Sequence, residues 1–133
     1  DFLLIDTQGS LTKEMAQFLF QSSLIITPCR ASRDDIVGQG WIEVFLKQAS
    51  QDIEKPPILT VLNGVNKRSS ILSHVIEQLK EDGVQVAETC ISQRVCFAET
   101  NVNKISVIGY NKPATEEIVD LTNEALNLIK SEA

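Results

Sequence analysis

The sequence predicts an α/β fold with a doubly wound, mainly parallel sheet. Short apolar runs typical of buried strands alternate with longer segments in which apolar residues recur at helical spacing. The strand candidates lack the alternation of apolar and polar residues found in half-exposed sheets, so helices should cover both sheet faces. The 133 residues fit one globular domain. Ligands of such folds bind beyond the carboxyl ends of the strands, where we look for a site.

The first predicted elements are a strand and a helix on either side of a polar turn. Residues 2–5, Phe-Leu-Leu-Ile, predict a strand buried on both faces that ends at Asp6. Residues 11–22 predict a helix, capped by Ser10 or Thr12. The side chains predicted to face the sheet are Leu11, Met15, Phe18 and Leu19.

The second strand and helix follow the same pattern. Residues 24–28 predict a buried strand, and the segment from Ser32 to Asp35 has the spacing of a capping box at the start of a helix that runs to about Ser50. A mostly apolar face of this helix is formed by Val37, Trp41, Val44, Phe45 and Gln48.

The third strand begins after Lys55-Pro56-Pro57, because prolines cannot join a helix interior and favour extended backbone before them. Residues 58–62 predict this strand, which ends at Asn63-Gly64. A helix from about Ser70 should stop at Gly83, which suits a left-handed cap. Its inward residues are Ile71, Leu72, Val75 and Leu79.

The remaining elements are shorter until the last helix. Residues 84–87 predict a short strand and residues 93–99 a short helix. Pro113 fits the first turn of a final helix, in which Glu116 and Glu117 near the start and Lys130 near the end match the helix dipole. Its buried stripe is formed by Ile118, Leu121, Ala125 and Leu128.

Composition excludes several classes of protein. The three cysteines, Cys29, Cys90 and Cys96, are odd in number and lack CxxC spacing, so we expect buried free thiols in a reducing cytoplasm rather than disulfides or a zinc site. The net charge of −6 disfavours a generally DNA-attracting surface. No apolar run approaches the roughly 20 residues that span a bilayer, so we expect a soluble protein without membrane binding.

Two strand ends carry side chains suited to nucleotide chemistry. In Asp6-Thr7-Gln8-Gly9 the carboxylate could hold a magnesium-bound water and the glycine amide could face a phosphate. The same pattern also suits plain helix entry. Asn63 offers a donor and an acceptor that could read a purine edge, while Asn-Gly is equally a turn dipeptide.

A hydrolase based on histidine and a metal site based on histidine and cysteine have weaker support than nucleotide chemistry. A Ser/His/Asp or Cys/His hydrolase would need His74, the single histidine, which falls in the middle of a predicted helix where a structural role is expected. A metal site from His74, Cys90 and Cys96 lacks ligand spacing.

Five segments taken in order resemble the ParA/MinD family of deviant-Walker P-loop ATPases, and most closely its ParA branch. The resemblance covers almost the whole chain and corresponds to the C-terminal portion of a single ATPase domain. The segments are residues 1–9, residues 22–28 (Ser-Ser-Leu-Ile-Ile-Thr-Pro), residues 58–63, residues 91–99 with Ile-Ser-Gln-Arg and Phe-Ala-Glu, and residues 112–118.

The resemblance implies a cytoplasmic ATPase that dimerises around ATP and positions plasmids, chromosomes or other cargo. Asp6 would be the Walker B aspartate that holds Mg²⁺ through water, and Gly9 the switch II glycine near the γ-phosphate. Asn63 would contact the base, with Ser92 and Arg94 beside the adenine. Gln8 stands where family members often have proline.

The family's phosphate-binding loop and its catalytic aspartate have no counterpart in these residues. We therefore expect no catalytic residue and no ATP hydrolysis from this chain alone, and we expect it to be a piece of a longer protein. In the related fold the phosphate-loop strand lies between the strand ending at Asp6 and the one ending near Pro28. Its absence exposes two strand edges, and an empty slot would leave several buried backbone groups unpaired. We therefore expect a preceding segment of a longer protein to fill the slot; the alternatives are that the two strands close up or that a second copy supplies the pairing.

Partners are implied in the same way. The resemblance implies a homodimer, a ParB-like or cargo adaptor protein, and non-specific DNA contact through basic residues. By charge, the candidates for DNA contact are Arg30, Arg33, Lys67, Arg68 and Arg94. An alternative is a degenerate relative that binds no nucleotide and uses its sheet as an interaction surface.

Overall fold

The computed structural model describes residues 1–9, 12–49 and 54–132. Within these ranges the chain forms five helices and one three-stranded sheet. In chain order the elements are α1 (Lys13–Leu19), β1 (Ile25–Cys29), α2 (Arg33–Ala49), β2 (Ile58–Val65), α3 (Ser70–Glu81), β3 (Ile91–Ser92), α4 (Val95–Asn103) and α5 (Lys112–Glu132).

The sheet is parallel throughout and has the order β1-β2-β3. Ile25 pairs with Ile58 and Cys29 with Leu62, so β1 and β2 run in register. At the end of β2 the register with β3 shifts between Asn63 and Val65. Gly64 lies at this bulge with φ of 67°, a left-handed conformation that suits glycine. The Asn63-Gly64 dipeptide therefore bends β2 rather than ending it, and the strand continues to Val65.

Helices cover both faces of the sheet, as the sequence predicts for buried parallel strands. On one face, Cys29 and Leu62 pack in a cluster with Leu72, Val75 and Leu79 of α3. On the same face, Leu46 of α2 packs with Ile25 and Ile58. On the opposite face, the buried side chains Leu59, Val61, Ile91 and Ala125 pack together with Ile118, Leu121 and Leu128 of α5. The molecule is thus an α/β protein with an open parallel sheet.

A buried polar cluster ties α2 to the sheet. The hydroxyls of Thr27 and Thr60 both donate to Gln39 Oε1, at 2.8 and 3.1 Å, and lie 3.0 Å from each other. All three residues are buried. Because buried polar groups are costly when unpaired, these hydrogen bonds fix the position of α2 over β1 and β2.

The strand predicted over residues 2–5 is wrong. These residues form no strand, and their side chains are 59–90% exposed. An isolated strand leaves its backbone groups without partners and buries no apolar surface, so a hydrophobic run forms a strand only where a neighbour is present.

One edge of β1 is open within the described sheet. The amide of Ile25 donates to Pro57 O at 2.9 Å, so the backbone groups of Ile25 point toward β2. Since these groups alternate along a strand, those of Ile26 and Pro28 point outward. Pro28 has no N–H to leave unpaired, which fits a proline at a sheet edge.

The capping predictions are largely confirmed. Thr12 Oγ1 accepts the amide of Met15 at 3.2 Å at the start of α1, whereas Ser10 and Leu11 lie outside the described residues. At the start of α2, Ser32 Oγ accepts the amide of Asp35 at 3.2 Å. The Asp35 carboxylate does not return to Ser32 but accepts the amide of Arg30 at 2.7 Å.

The apolar faces predicted for α1 and α2 are partly wrong. Phe18 is 65% exposed on α1, where Ala16 is the buried residue. On α2 the buried residues are Gln39 and Leu46, while Trp41 is 64% exposed. Exposed with it are Val37, Val44 and Gln48. Both sides of this helix carry apolar residues, so periodicity alone cannot decide which side faces the sheet. The prediction that α2 reaches Ser50 falls outside the described residues.

The second half of the chain follows its predictions more closely. In α3, Leu72, Val75 and Leu79 are buried but Ile71 is 60% exposed, and Gly83 follows the helix with φ of 77°. Residues 84–87 make a single bridge, between Val86 and Thr60, rather than a strand. Pro113 lies in the first turn of α5 as predicted. All three cysteines are free and buried.

Among the described helices, we find none whose length and hydrophobicity would suffice to cross a membrane.

Candidate functional site

A cavity of about 650 Å³ lies at the carboxyl ends of the three strands. Three of the predicted nucleotide-binding residues, Asn63, Ser92 and Arg94, line it together. They come from the end of β2, from β3 and from the residue that precedes α4. The remaining lining residues are Ile26, Pro28, Val61, Gly64, Ile91, Gln93, Phe97, Ala98, Ile118 and Leu121.

The walls of the cavity are mostly apolar, with polar groups grouped at one end. Ile26 and Val61 come from the sheet, Phe97 comes from α4 and Leu121 from α5. Helix α5 covers this face over β2 and β3, but Ile26 of β1 remains exposed, so the cavity is open on the β1 side. An apolar slot with a few polar groups at its rim is the usual form of a small-molecule site.

A buried carboxylate anchors the polar end of this cavity. Glu117, on α5, is 7% exposed. Its Oε1 accepts hydrogen bonds from Ser92 Oγ at 2.7 Å and Arg94 Nη2 at 3.0 Å, and Lys67 Nζ lies 2.8 Å from the same atom. Its Oε2 accepts the backbone N–H of Ser92 at 3.0 Å. Four donors from two loops and β3 thus meet on one side chain of α5.

These contacts set the ionisation of Glu117. Burial by itself would raise its pKa, but hydrogen bonds from Arg94, Lys67 and Ser92 outweigh burial and lower the pKa to about 2. The carboxylate is therefore ionised at neutral pH. It carries one negative charge against the two positive charges of Lys67 and Arg94, both of which remain partly exposed.

Asp6 and Gly9 do not join this group. Both are exposed, and both lie in the N-terminal segment that stays outside the sheet. Neither lines the cavity. The residues that the resemblance assigns to the base are thus brought together, and those that it assigns to the phosphates and Mg²⁺ are not.

A second cavity, of about 720 Å³, lies on the other side of Glu117 and has an acidic lining. Lys67 and Glu117, which form an ion pair, both line this second cavity. Glu124 accepts the amides of Glu88 and Thr89 there, at 2.7 and 3.1 Å, and so holds the segment before β3 against α5. Its carboxylates make this cavity unsuited to a phosphate.

The described residues form neither a Ser/His/Asp or Cys/His catalytic group around His74 nor a metal site from His74, Cys90 and Cys96. The side chain of His74 is 81% exposed on α3 and faces Glu77 at 3.8 Å. No group of three or more His, Cys, Asp or Glu residues in the described ranges is arranged to hold a metal ion. Burial, with a smaller contribution from Asp35, raises the pKa of Cys29 to about 11, and burial also raises the pKa of Cys90. Neither thiol is primed as a nucleophile.

The five candidate DNA contacts differ in their surroundings. Arg30, Arg33 and Arg68 are exposed. Lys67 and Arg94 are instead engaged by Glu117. These two cations therefore belong to the group around Glu117, and the three arginines are the candidates that Glu117 does not engage.

Sequence reasoning missed the role of Glu117. The sequence predicts only that Glu117 and Glu116 match the helix dipole, whereas in the structure Glu116 is exposed and Glu117 is buried. A signal was present, because Glu117 lies three residues after Ala114 and four before Leu121, on the same stripe as Ala125. A carboxylate on a buried helical stripe predicts a charged or hydrogen-bonded partner. Lys67 and Arg94 could not be identified as those partners from spacing, because they lie far away in sequence.

Comparison with known proteins gave no match to any protein-family model and no match among curated proteins.

Proposed function

We propose that the cavity is the base-binding half of an ATP site in a ParA-like, cytoplasmic partitioning or positioning ATPase. The observation that carries this proposal is the convergence of Asn63, Ser92 and Arg94 on one apolar cavity at the carboxyl ends of parallel strands. The volume of about 650 Å³ is within the range of small-molecule sites. The ordered resemblance of nearly the whole chain to the ParA branch supports the same function.

In this proposal each part of the cavity has a distinct task. The apolar lining residues, among them Ile26 of β1 and Leu121 of α5, would contact the flat base. The Asn63 amide, which has both a donor and an acceptor, would hydrogen-bond its edge. The Arg94 guanidinium would lie against the face or edge of the base.

The phosphate half would form only with further polypeptide. The described residues hold Asp6 and Gly9 apart from the cavity, and the sequence contains no Gly-Lys-Ser/Thr loop. We propose that Asp6 holds Mg²⁺ through water, and Gly9 faces the γ-phosphate, once a phosphate-binding loop lies between residues 2–5 and β1. Dimerisation around ATP, stimulation by a ParB-like or cargo adaptor protein, and non-specific DNA contact belong to the same proposal.

The first test is a titration of the isotope-labelled chain with adenosine, AMP and ATP, followed by NMR. Binding should shift the amides of Asn63, Gly64 and Ser92, with similar affinities for the three ligands because the phosphate half is not assembled. Asn63→Ala should weaken binding about tenfold, the equivalent of one lost hydrogen bond of about 1.4 kcal/mol. Asn101→Ala, on the exposed side of α4, is the matched control and should change nothing.

Two results would contradict the proposal. One is the absence of any shift around the cavity at millimolar adenosine. The other is an Asn63→Ala affinity equal to that of the control. In a protein that also carries the phosphate loop, Asp6→Ala should remove the Mg²⁺ dependence of ATP binding, and an undiminished dependence would refute the metal assignment.

A second candidate function is a nucleotide-free interaction module. It is favoured by the cavity being open at Ile26 and by the exposed apolar residues 2–5, both of which could serve a protein partner. The same titration separates the two functions. The module predicts no response to ATP and Mg²⁺ even when a phosphate loop is supplied.

A further inference from the structure

The contacts of Arg94 depend on Glu117. Within the described residues, the hydrogen bond from Arg94 Nη2 to Glu117 Oε1 at 3.0 Å is the only one made by this guanidinium. Its Nε is buried without a partner. An arginine side chain has several rotatable bonds and loses rotamer freedom when it is held in one position. Among the described residues, no second hydrogen bond orients the Arg94 guanidinium at the cavity rim.

Glu117 is itself held in place more firmly than the arginine that it binds. It lies within α5, it is almost fully buried, and the Ser92 hydroxyl and amide grip its two oxygens separately. Charge-assisted hydrogen bonds of this kind are short and directional. The carboxylate therefore connects α5, β3 and the arginine before α4 in one arrangement.

We infer that Glu117 is a positioning residue, which fixes the Arg94 guanidinium at the rim of the cavity so that it can stack on or hydrogen-bond a purine base. The inference rests on the proposed function and adds a residue that the resemblance does not assign. Without the carboxylate, Arg94 would turn toward solvent, and each binding event would first have to order it again. Glu117 never touches the ligand in this scheme.

Lys67 is the competing partner, because its Nζ lies against the same oxygen, Oε1. It lines the second cavity and not the first, so we expect it to make no contact with a base bound in the first cavity. Its task is to help neutralise Glu117. Removing Lys67 should leave Arg94 anchored, whereas removing the carboxylate should release both cations.

The test compares Glu117→Gln with Glu116→Gln in nucleotide titrations. Glu116 is the matched control, because it lies on the same turn of α5, is exposed, and faces Lys112 at 3.9 Å. Glu117→Gln should raise the dissociation constant for adenosine on the order of tenfold. Glu116→Gln and Lys67→Met should leave it within about twofold.

A double mutant identifies the route of the effect. If Glu117 acts through Arg94, Glu117→Gln should cause no further loss in an Arg94→Ala background. An equal loss in both backgrounds would overturn the inference. Should Glu117→Gln fail to fold, Glu117→Asp keeps the charge but shortens the reach to Arg94, and the same comparison applies.

A second measurement needs no nucleotide, because it follows the NMR signal of the Arg94 side chain itself. If Glu117 served only the stability of the fold, its substitution would leave this signal unchanged. In the wild-type chain the Arg94 Nε–H should give a single, slowly exchanging NMR signal, which Glu117→Gln should broaden or lose while Glu116→Gln keeps it. An unchanged signal in folded Glu117→Gln overturns the inference even if ATP binds. If the wild-type chain binds no nucleotide, the proposed function fails, and the signal alone then decides whether Glu117 positions Arg94.

Discussion

Two apolar segments of similar length differ completely in burial in this molecule. Residues 58–62 of β2 are all buried, whereas residues 2–5 are all exposed. The difference lies in their neighbours. β2 has a strand on each side and helices on both faces, whereas residues 2–5 have no such neighbours among the described residues. Hydrophobicity thus shows that a segment can serve as a central strand, while partner strands decide whether it does.

The largest expected effect tests this difference directly. Leu62→Ala, in the centre of β2, should lower the free energy of unfolding by about 2–5 kcal/mol, because the side chain is fully buried and its loss leaves a cavity. Leu4→Ala should change it by no more than about 0.5 kcal/mol. Urea unfolding of both variants measures this. Equal losses would mean that residues 2–5 are packed in solution.

The buried polar cluster should give the next largest effect. Gln39→Ala should cost about 1–3 kcal/mol, since Thr27 and Thr60 lose their shared acceptor inside the protein. Gln48→Ala is the control on the same helix, where the side chain is exposed, and should be nearly neutral. A larger loss for Gln48→Ala would show that α2 presents its other face to the sheet.

Glu117 should make the stability of the second half of the chain depend on pH. Its pKa is lowered from 4.5 to about 2 in the folded protein, so its contribution is complete above pH 4.5 and is lost as the pH falls toward 2. Glu117→Gln should remove this pH dependence of the free energy of unfolding. The change should be only on the order of 1 kcal/mol, because Lys67 and Arg94 are partly exposed and solvent screens their charges. Thermal melts between pH 2 and 6 check this, and an unaltered slope would refute it.

The smallest effect on stability is expected for Leu4→Cys, whose new thiol should differ strongly from Cys29 in its rate of chemical labelling. Leu4→Cys should unfold like the wild type yet add one thiol that reacts with a maleimide at the rate of a free cysteine. Cys29 should stay unreactive until the protein unfolds, because it is fully buried and burial raises its pKa to about 11. Mass spectrometry of the labelled peptides distinguishes the two sites. Slow labelling at position 4 would indicate that the segment is covered.

Much of the fold could be predicted because the relevant signals are local. The periodic stripe of α5, the prolines before β2 and the glycine after α3 each act within a few residues. Residues 2–5 could not be judged in this way, since their fate depends on strands distant in sequence. The face of α2 was ambiguous, because Trp41 and Leu46 are both apolar and lie on different sides of the helix.

The residues of the candidate site also differ in how far local sequence signals could predict their positions. The place of Asn63 could be predicted, because it follows a predicted strand and the carboxyl ends of parallel strands meet at one edge. Ser92 and Arg94 were expected beside it only from the family resemblance, since no strand was predicted at residues 91–92. The ion pairs of Glu117 with Lys67 and Arg94 could not, because 50 and 23 residues of sequence separate them and only the packing of α5 brings them together. Asp6 shows the opposite case, because it follows an apolar run as a strand-end aspartate would, but residues 2–5 form no strand.

The proline at the open side of β1 limits how this molecule can associate with others. A growing stack of strands needs a regular supply of backbone donors, and the outward side of β1 offers the amide of Ile26 but none at Pro28. A strand of a second chain that paired with this side could accept the amide of Ile26 but would find no donor at Pro28. The exposed flank should therefore resist fibril growth while it remains open to a strand whose own pattern allows for the gap.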